Sequence, residues 1–148
     1  MSRNDPLTFQ VFNEIGIINQ LTSAAFAAVL PKGMTIAQFT VLNHFVRLGH
    51  EERSPAQLAS AFQITRPTMT STLARMEKAG LVAIKADPND GRGKLVSVTA
   101  AGAEMRDICL RQLAGPLAEA NGVLSPKILA QLLPLLREVR AKLDKLRD

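Results

Sequence analysis

Apolar residues recur along most of this chain at three- and four-residue steps, the spacing of helices with one buried face, and only one stretch takes up the two-residue rhythm of strands. Val11, Phe12, Ile15, Ile18, Leu21, Ala25, Phe26 and Val29 predict a long first helix. Asp5 is its expected N-cap, with Pro6 at the first helical position, where a missing N–H costs nothing. Ile17, Ala24 and Leu30 fall outside a narrow stripe, so the apolar face is wide. Burial in a larger helical core and contact with a second subunit both fit this segment.

Thr35-Ile36-Ala37-Gln38 matches a capping box and opens a second helix, whose apolar face is Ile36, Phe39, Val41, Leu42 and Phe45. Arg47-Leu48-Gly49 marks its end, and His50, Glu51 and Glu52 form a polar connection. Ser54-Pro55-Ala56-Gln57 repeats the box and starts a short helix burying Leu58, Ala59 and Phe62 before a turn at Gln63-Ile64. Thr65 then caps a helix over 66–79, with Pro67 in its first turn and Gly80 where a helix commonly ends in a left-handed residue. At helical pitch Met69, Leu73 and Met76 form a narrow core stripe, with Pro67, Ser71, Ala74 and Lys78 opposite and Glu77 at one edge. The outward face is small, hydroxyl-rich and basic.

Leu81 to Ala86 and the β-branched Lys94-Leu95-Val96-Ser97-Val98-Thr99 predict a β-hairpin with a polar tip at Asp87-Pro88-Asn89-Asp90-Gly91. Thr99 caps a further helix carrying Met105, Ile108, Cys109, Leu113 and Leu117, which Gly115-Pro116 is expected to kink or end. Asn121-Gly122 reads as a turn and Ser125-Pro126 as the start of the last helix. There Leu129, Leu132, Leu136, Val139, Leu143 and Leu146 step like a coiled-coil seam interrupted by Pro134, and such a seam packs within or between subunits.

Composition narrows the classes. With 148 residues, 47% apolar and 21% charged, the chain is long enough for one packed domain, or one carrying a dimerisation element, and is not disordered. No apolar run reaches the length of a membrane span and no signal-like segment opens the chain, so a soluble, unprocessed, cytoplasmic protein is expected. Cys109, the single cysteine, closes no intrachain disulfide and suits a reducing compartment. A net charge of +5 favours an anionic partner, while the absence of Trp and Tyr argues against a base-stacking, single-strand surface. No Gly-rich phosphate loop, H-E-x-x-H or G-x-S-x-G is present, so neither an enzyme nor a cofactor or metal site is expected. His44 reads as a core or boundary residue, His50 as loop, and Cys109 as an inert buried thiol.

The element order is that of a mainly α winged helix-turn-helix with a small β-hairpin wing. In that plan the second helix of the turn-linked pair fits the major groove of duplex DNA while the hairpin reaches a neighbouring groove. Thr65, Thr68, Thr70 and Ser71 offer donors to phosphate or base edges near a helix N-terminus, and Arg66 and Arg75 add charge. From Ser54 to Val98 six bases face three acids, so much of the net charge lies in this region.

Thr35-Ile-Ala-Gln-Phe-Thr-Val-Leu42, Ser54-Pro-Ala-Gln-Leu-Ala59, Thr65-Arg-Pro-Thr-Met-Thr70, Leu73-Ala-Arg-Met-Glu-Lys-Ala-Gly-Leu81, Asp87-Pro-Asn-Asp-Gly-Arg92 and Val98-Thr99 with Gly102, taken in this order, resemble the MarR family of transcriptional regulators. The likeness spans roughly residues 35–105. It implies a homodimer on a pseudo-palindromic duplex, with residues 1–34 and 100–148 as dimerisation helices and 35–99 as the DNA-binding domain. It further implies that Arg92 enters the minor groove from the wing, with Asp90 holding its partners in place, and that Arg66, Thr68, Thr70, Ser71 and Arg75 lie along the major groove. Thr65, Lys78 and Lys94 complete the candidate DNA-binding set. Ser71 departs from the arginine many relatives carry, and a hydroxyl there gives up either a bidentate base contact or a phosphate clamp, which bears on base preference or on affinity. Release by a small aromatic or phenolic effector is also implied, with no motif locating its pocket. The bland readings are solvated surface for the Thr/Ser run and edge-strand solubility for Arg92 and Lys94. The rival function is a winged-helix module that binds protein instead of DNA.

Overall fold

In the computed structural model residues 4–147 are described, and residues 1–3 and 148, which the expected domain limits include, lie outside them. The chain divides into two compact units, one ending at Leu113 and one beginning at Ala114. The first holds α1 (Leu7–Ala27), α2 (Ile36–Leu48), α3 (Pro55–Phe62), α4 (Arg66–Lys78), the antiparallel hairpin β1 (Val82–Asp87) and β2 (Asp90–Val98), and α5 (Ala100–Gln112). The second holds α6 (Ala114–Val123) and α7 (Pro126–Lys145). This is the mainly helical winged plan expected from the sequence.

Helix starts follow the hydroxyl caps. Thr35, Ser54, Thr65, Thr99 and Ser125 each accept a hydrogen bond from the backbone N–H three residues on. The reciprocal box closes at Ser54, where Gln57 returns its carbonyl to the Ser54 N–H. At Thr35 Gln38 instead turns inward and is 7% exposed. α1 departs from expectation, because its N-cap is Pro6 itself, which offers no side-chain acceptor. α4 ends as the glycine predicts: Gly80, at φ 76°, donates to the Glu77 carbonyl and Leu81 to that of Met76. The turn between α3 and α4 makes the same pair of bonds with Gln63 in the left-handed position, φ 51°, where its side-chain amide also donates to the Ser60 carbonyl.

The core lies where the three helices of the lobe meet the hairpin. Val41, Leu42 and Phe45 from α2, Leu58 and Ala59 from α3, and the Met69, Leu73, Met76 stripe of α4 close on Leu81, Val82 and Val96. Burial of this apolar surface is the main driving force for the lobe. One element was not expected. Arg53 exchanges both backbone hydrogen bonds with Val96, at 3.0 and 2.8 Å, so the polar connection after α2 adds a one-residue third strand to the sheet.

Two expected breaks fall elsewhere. The helix after Thr99 ends at Gln112, before Gly115-Pro116, and both residues sit in the first turn of α6. A proline there removes an N–H that has no intrahelical acceptor in any case. Asn121-Gly122 is helical, and the chain turns at Leu124-Ser125 instead, where the Ser125 hydroxyl caps α7. α7 continues as one helix through Pro134.

α4, the hairpin and α5 converge on one close backbone approach. The Thr99 hydroxyl donates to the Gly80 carbonyl at 2.6 Å and accepts from the Gly102 N–H at 3.0 Å, and the Thr99 N–H donates to the Leu81 carbonyl. A Cβ added at Gly102 would stand 2.0 Å from that Leu81 oxygen. Gly102→Ala is therefore expected to lower stability by at least about 3 kcal/mol, read as a drop in the urea midpoint at unchanged m-value. Gly122→Ala, helical and facing open space, should be neutral or stabilising by up to about 1 kcal/mol.

Candidate nucleic-acid interface

α4 buries Met69, Leu73 and Met76 and turns everything else that carries charge outward. Arg66, Thr68, Thr70, Ser71, Arg75 and Lys78 are all exposed, as are the cap Thr65 and the hairpin residues Asp90, Arg92 and Lys94. Thr65 works mainly as a cap, since its hydroxyl accepts from the Thr68 N–H and donates to the Thr68 hydroxyl at 2.8 Å. Thr72, half-buried, donates to the Thr68 carbonyl.

The hairpin is regular from Val82 paired with Val98 to Ala86 paired with Lys94, and the next pair is Asp87 with Asp90. Gly91-Arg92-Gly93 therefore bulges from β2 without partners on β1. Two carboxylates shape this tip. Asp87 accepts from the Asn89 N–H at 2.9 Å, and Asp90 accepts from the Arg92 N–H at 3.1 Å. Gly93 leaves room for the second of these, because a Cβ there would lie 2.9 Å from the Asp90 Oδ2. Asp90 thus engages the backbone of Arg92 and leaves the guanidinium pointing into solvent.

α4 and the hairpin enclose a cleft of about 1140 Å³. It gathers part of the candidate set: Arg66 and Thr70 from α4, with Asp90, Arg92 and Lys94 from β2. Thr65, Thr68, Ser71, Arg75 and Lys78 lie outside it. Among the described residues Arg66, Arg75, Lys78, Arg92 and Lys94 form no salt bridge, whereas Lys85 on the hairpin is held by Glu52 at 2.6 Å. Five cations on α4 and the hairpin are therefore free to meet an external anion.

Among the cleft-lining residues that sequence reasoning left out of the site, two contributors stand out. The first turn of α3, Ser54 to Gln57, forms part of its wall, and so does Glu77. The capping box foretold the first as a helix start without indicating what it faces, and the position of Glu77 at one edge of α4 was the available signal for the second.

The remaining singled-out groups sit apart from this cleft. His44 packs edge-on against Phe62 at 4.9 Å, and burial, then the charges of Arg47, His50 and Arg53, hold its pKa below the usual histidine value. Cys109 is a buried free thiol, and burial raises its pKa, which disfavours the thiolate. No cluster of three or more metal-ligating side chains occurs among the described residues, and no helix is long and apolar enough to cross a membrane.

Comparison with known proteins agrees with this geometry. A sequence profile of the MarR family matches residues 32–93. The transcriptional activatory protein BadR of Rhodopseudomonas palustris is 31% identical over 91 residues, 61% of this chain, and the match spans about half, 52%, of that curated relative. Among solved structures, a mutant MarR from E. coli complexed with operator DNA superposes with a TM-score of 0.71 at 27% identity, covering 91% of this chain and 99% of that one. BpsR of Bordetella bronchiseptica, described as regulated in its DNA binding by 6-hydroxynicotinic acid, superposes with a TM-score of 0.73 at 26% identity over 88% and 98% of the two chains.

If Asp90 serves the wing through its acceptor oxygen, charge is dispensable there. Asp90→Asn should keep duplex binding at least as tight as the parent, because it retains Oδ1 and removes a negative charge, whereas Asp90→Ala should weaken it several-fold with the thermal midpoint little changed. Titration of a labelled duplex with each variant checks this, and equal loss in both would assign the role to the charge.

Proposed function

The chain belongs to the MarR family of transcriptional regulators, and from that premise we propose that it is a homodimer binding a pseudo-palindromic duplex. Each protomer lays α4 in the major groove and the Gly91–Gly93 bulge, led by Arg92, in the adjoining minor groove. The observation that carries this reading is the set of five unpaired cations spread over α4 and the wing beside exposed hydroxyls. The E. coli relative with operator DNA supports it by likeness of fold and sequence. Unpaired Lys and Arg at this density suit a polyphosphate, whose condensed counterions they displace.

The dimer reading rests on the two long terminal helices, taken one at a time. No residue of α1 is buried, although Leu7, Phe9, Ile18 and Leu21 are more than half or about half exposed. No residue of α7 is buried either; its seam leucines at 129, 132, 136 and 143 are each more than a third exposed, and Leu146 just beyond its end is largely exposed. Apolar surface of this extent is rare on a soluble monomer and common at subunit interfaces. The second copy is proposed to cover both, which makes residues 1–34 and 100–148 the dimerisation regions and 35–99 the DNA-binding region. Release by a small aromatic or phenolic effector is proposed on the account of BpsR.

Selection of duplexes retained by the purified protein from fragmented genomic DNA is expected to return a short inverted repeat. Binding to it should weaken steeply with salt. Arg92→Ala should lose about tenfold or more in affinity with stability changed by no more than about 0.5 kcal/mol, since the side chain has no buried contacts. A protein that retains no duplex, or binds one without salt dependence, would favour the protein-interaction alternative. Sedimentation at micromolar concentration should give a dimer, and a monomer there would contradict the role assigned to α1 and α7.

A further inference from the structure

In B-DNA the major groove and the minor groove beside it are separated by a single sugar-phosphate strand. With α4 in one groove and the wing in the other, that strand has one place to go, which is the cleft between them. We propose that this cleft is a channel for one phosphodiester strand, and that it divides the candidate residues by role. Of the candidates that line the cleft, Arg66, Thr70 and Lys94 hold phosphates, while Arg92 reaches past the strand into the minor groove and Asp90 holds the wing backbone; Ser71 and Arg75, on the part of α4 outside it, face base edges. The assignment rests on the DNA-binding reading above and deepens it.

The walls suit the occupant. Arg66 and Thr70 are one helical turn apart on α4, and Ala74 continues the same line, so a guanidinium and a hydroxyl donor stand over a wall with no bulk. Across the cleft Lys94 is unpaired, whereas Lys85, also on the hairpin wall, is neutralised by Glu52. Asp87 and Asp90 on the hairpin wall are acids engaged by backbone amides, and Glu77 is the acid that most clearly runs against the trend. Glu77, a further turn along the Arg66-Thr70-Ala74 line, lines the channel as an exposed acid, and no cation pairs with it among the described residues. A phosphate passing it is repelled, so Glu77 restrains affinity without bearing on which bases are read. The arginine closest to the start of α4, which invites assignment as a base reader, is on this account a backbone clamp.

The roles separate experimentally, because a phosphate contact changes the salt slope equally on all duplexes and a base contact changes the ratio between them. Affinities are measured against salt for the selected duplex and a scrambled duplex of equal length. Arg66→Ala should weaken both by the same factor and make the slope of log K against log salt shallower by about 0.9 per protomer engaged. Arg66→Lys should restore the slope, since a point charge suffices for a phosphate but not for a bidentate base contact. Glu77→Gln should tighten both duplexes several-fold. Arg75→Ala should shrink the ratio between selected and scrambled duplexes. If Arg66→Ala changes that ratio while leaving the slope intact, or Arg66→Lys fails to restore binding, the channel assignment is overturned. Absence of duplex binding by the parent protein is a different result and overturns the function itself.

Discussion

The contact on which the lobe depends is made by backbone. The Leu81 carbonyl receives the Thr99 N–H and has the Cα of Gly102 pressed against it, while the Thr99 hydroxyl bridges the Gly80 carbonyl and the Gly102 N–H. The C-terminus of α4, both ends of the hairpin and the N-terminus of α5 thus meet at a few residues. Apolar burial holds the same elements together but is non-directional. This junction fixes where the hairpin leaves α4, and the packing of Leu73 and Met76 with Val82 and Val96 acts on the same pair of elements. Arg53, stitched to Val96, braces the hairpin from its other side.

On this frame the charges are arranged by what they leave free. Three of the acids near the cations are engaged otherwise, Asp87 and Asp90 by backbone amides and Glu52 by Lys85, while Glu77 stays unpaired among the described residues. Exposed cations cost little in a high-dielectric setting, so the lobe carries a surplus without losing stability, and their net effect is felt on a polyanion.

Much of this was legible in the sequence, because caps and glycines act locally. Ser54, Thr65, Thr99 and Ser125 start helices where their hydroxyls predicted, and the Met69, Leu73, Met76 stripe is buried as its spacing required. The errors arise where position within an element decides. Pro116 and Gly122 are breakers only in a helix interior, and each lies at an end of α6 where its penalty is small. Arg53 could not be found, since pairing of one residue with Val96 leaves no periodicity to detect. For the site, the exposed set was visible from helical phase, but its division by the cleft was not. That depends on where the hairpin stands relative to α4, a tertiary fact reached through Leu81 and Gly102.

The register of the hairpin has an implication for how such a protein diversifies. Pairing is unbroken from Val82 and Val98 as far as Ala86 and Lys94, and every residue that touches the core lies on the near side of that last rung. The segment from Asp87 to Gly93 is in effect an interchangeable cartridge. Its length and composition can drift, or be grafted from one scaffold onto another, while the lobe that carries it folds unchanged.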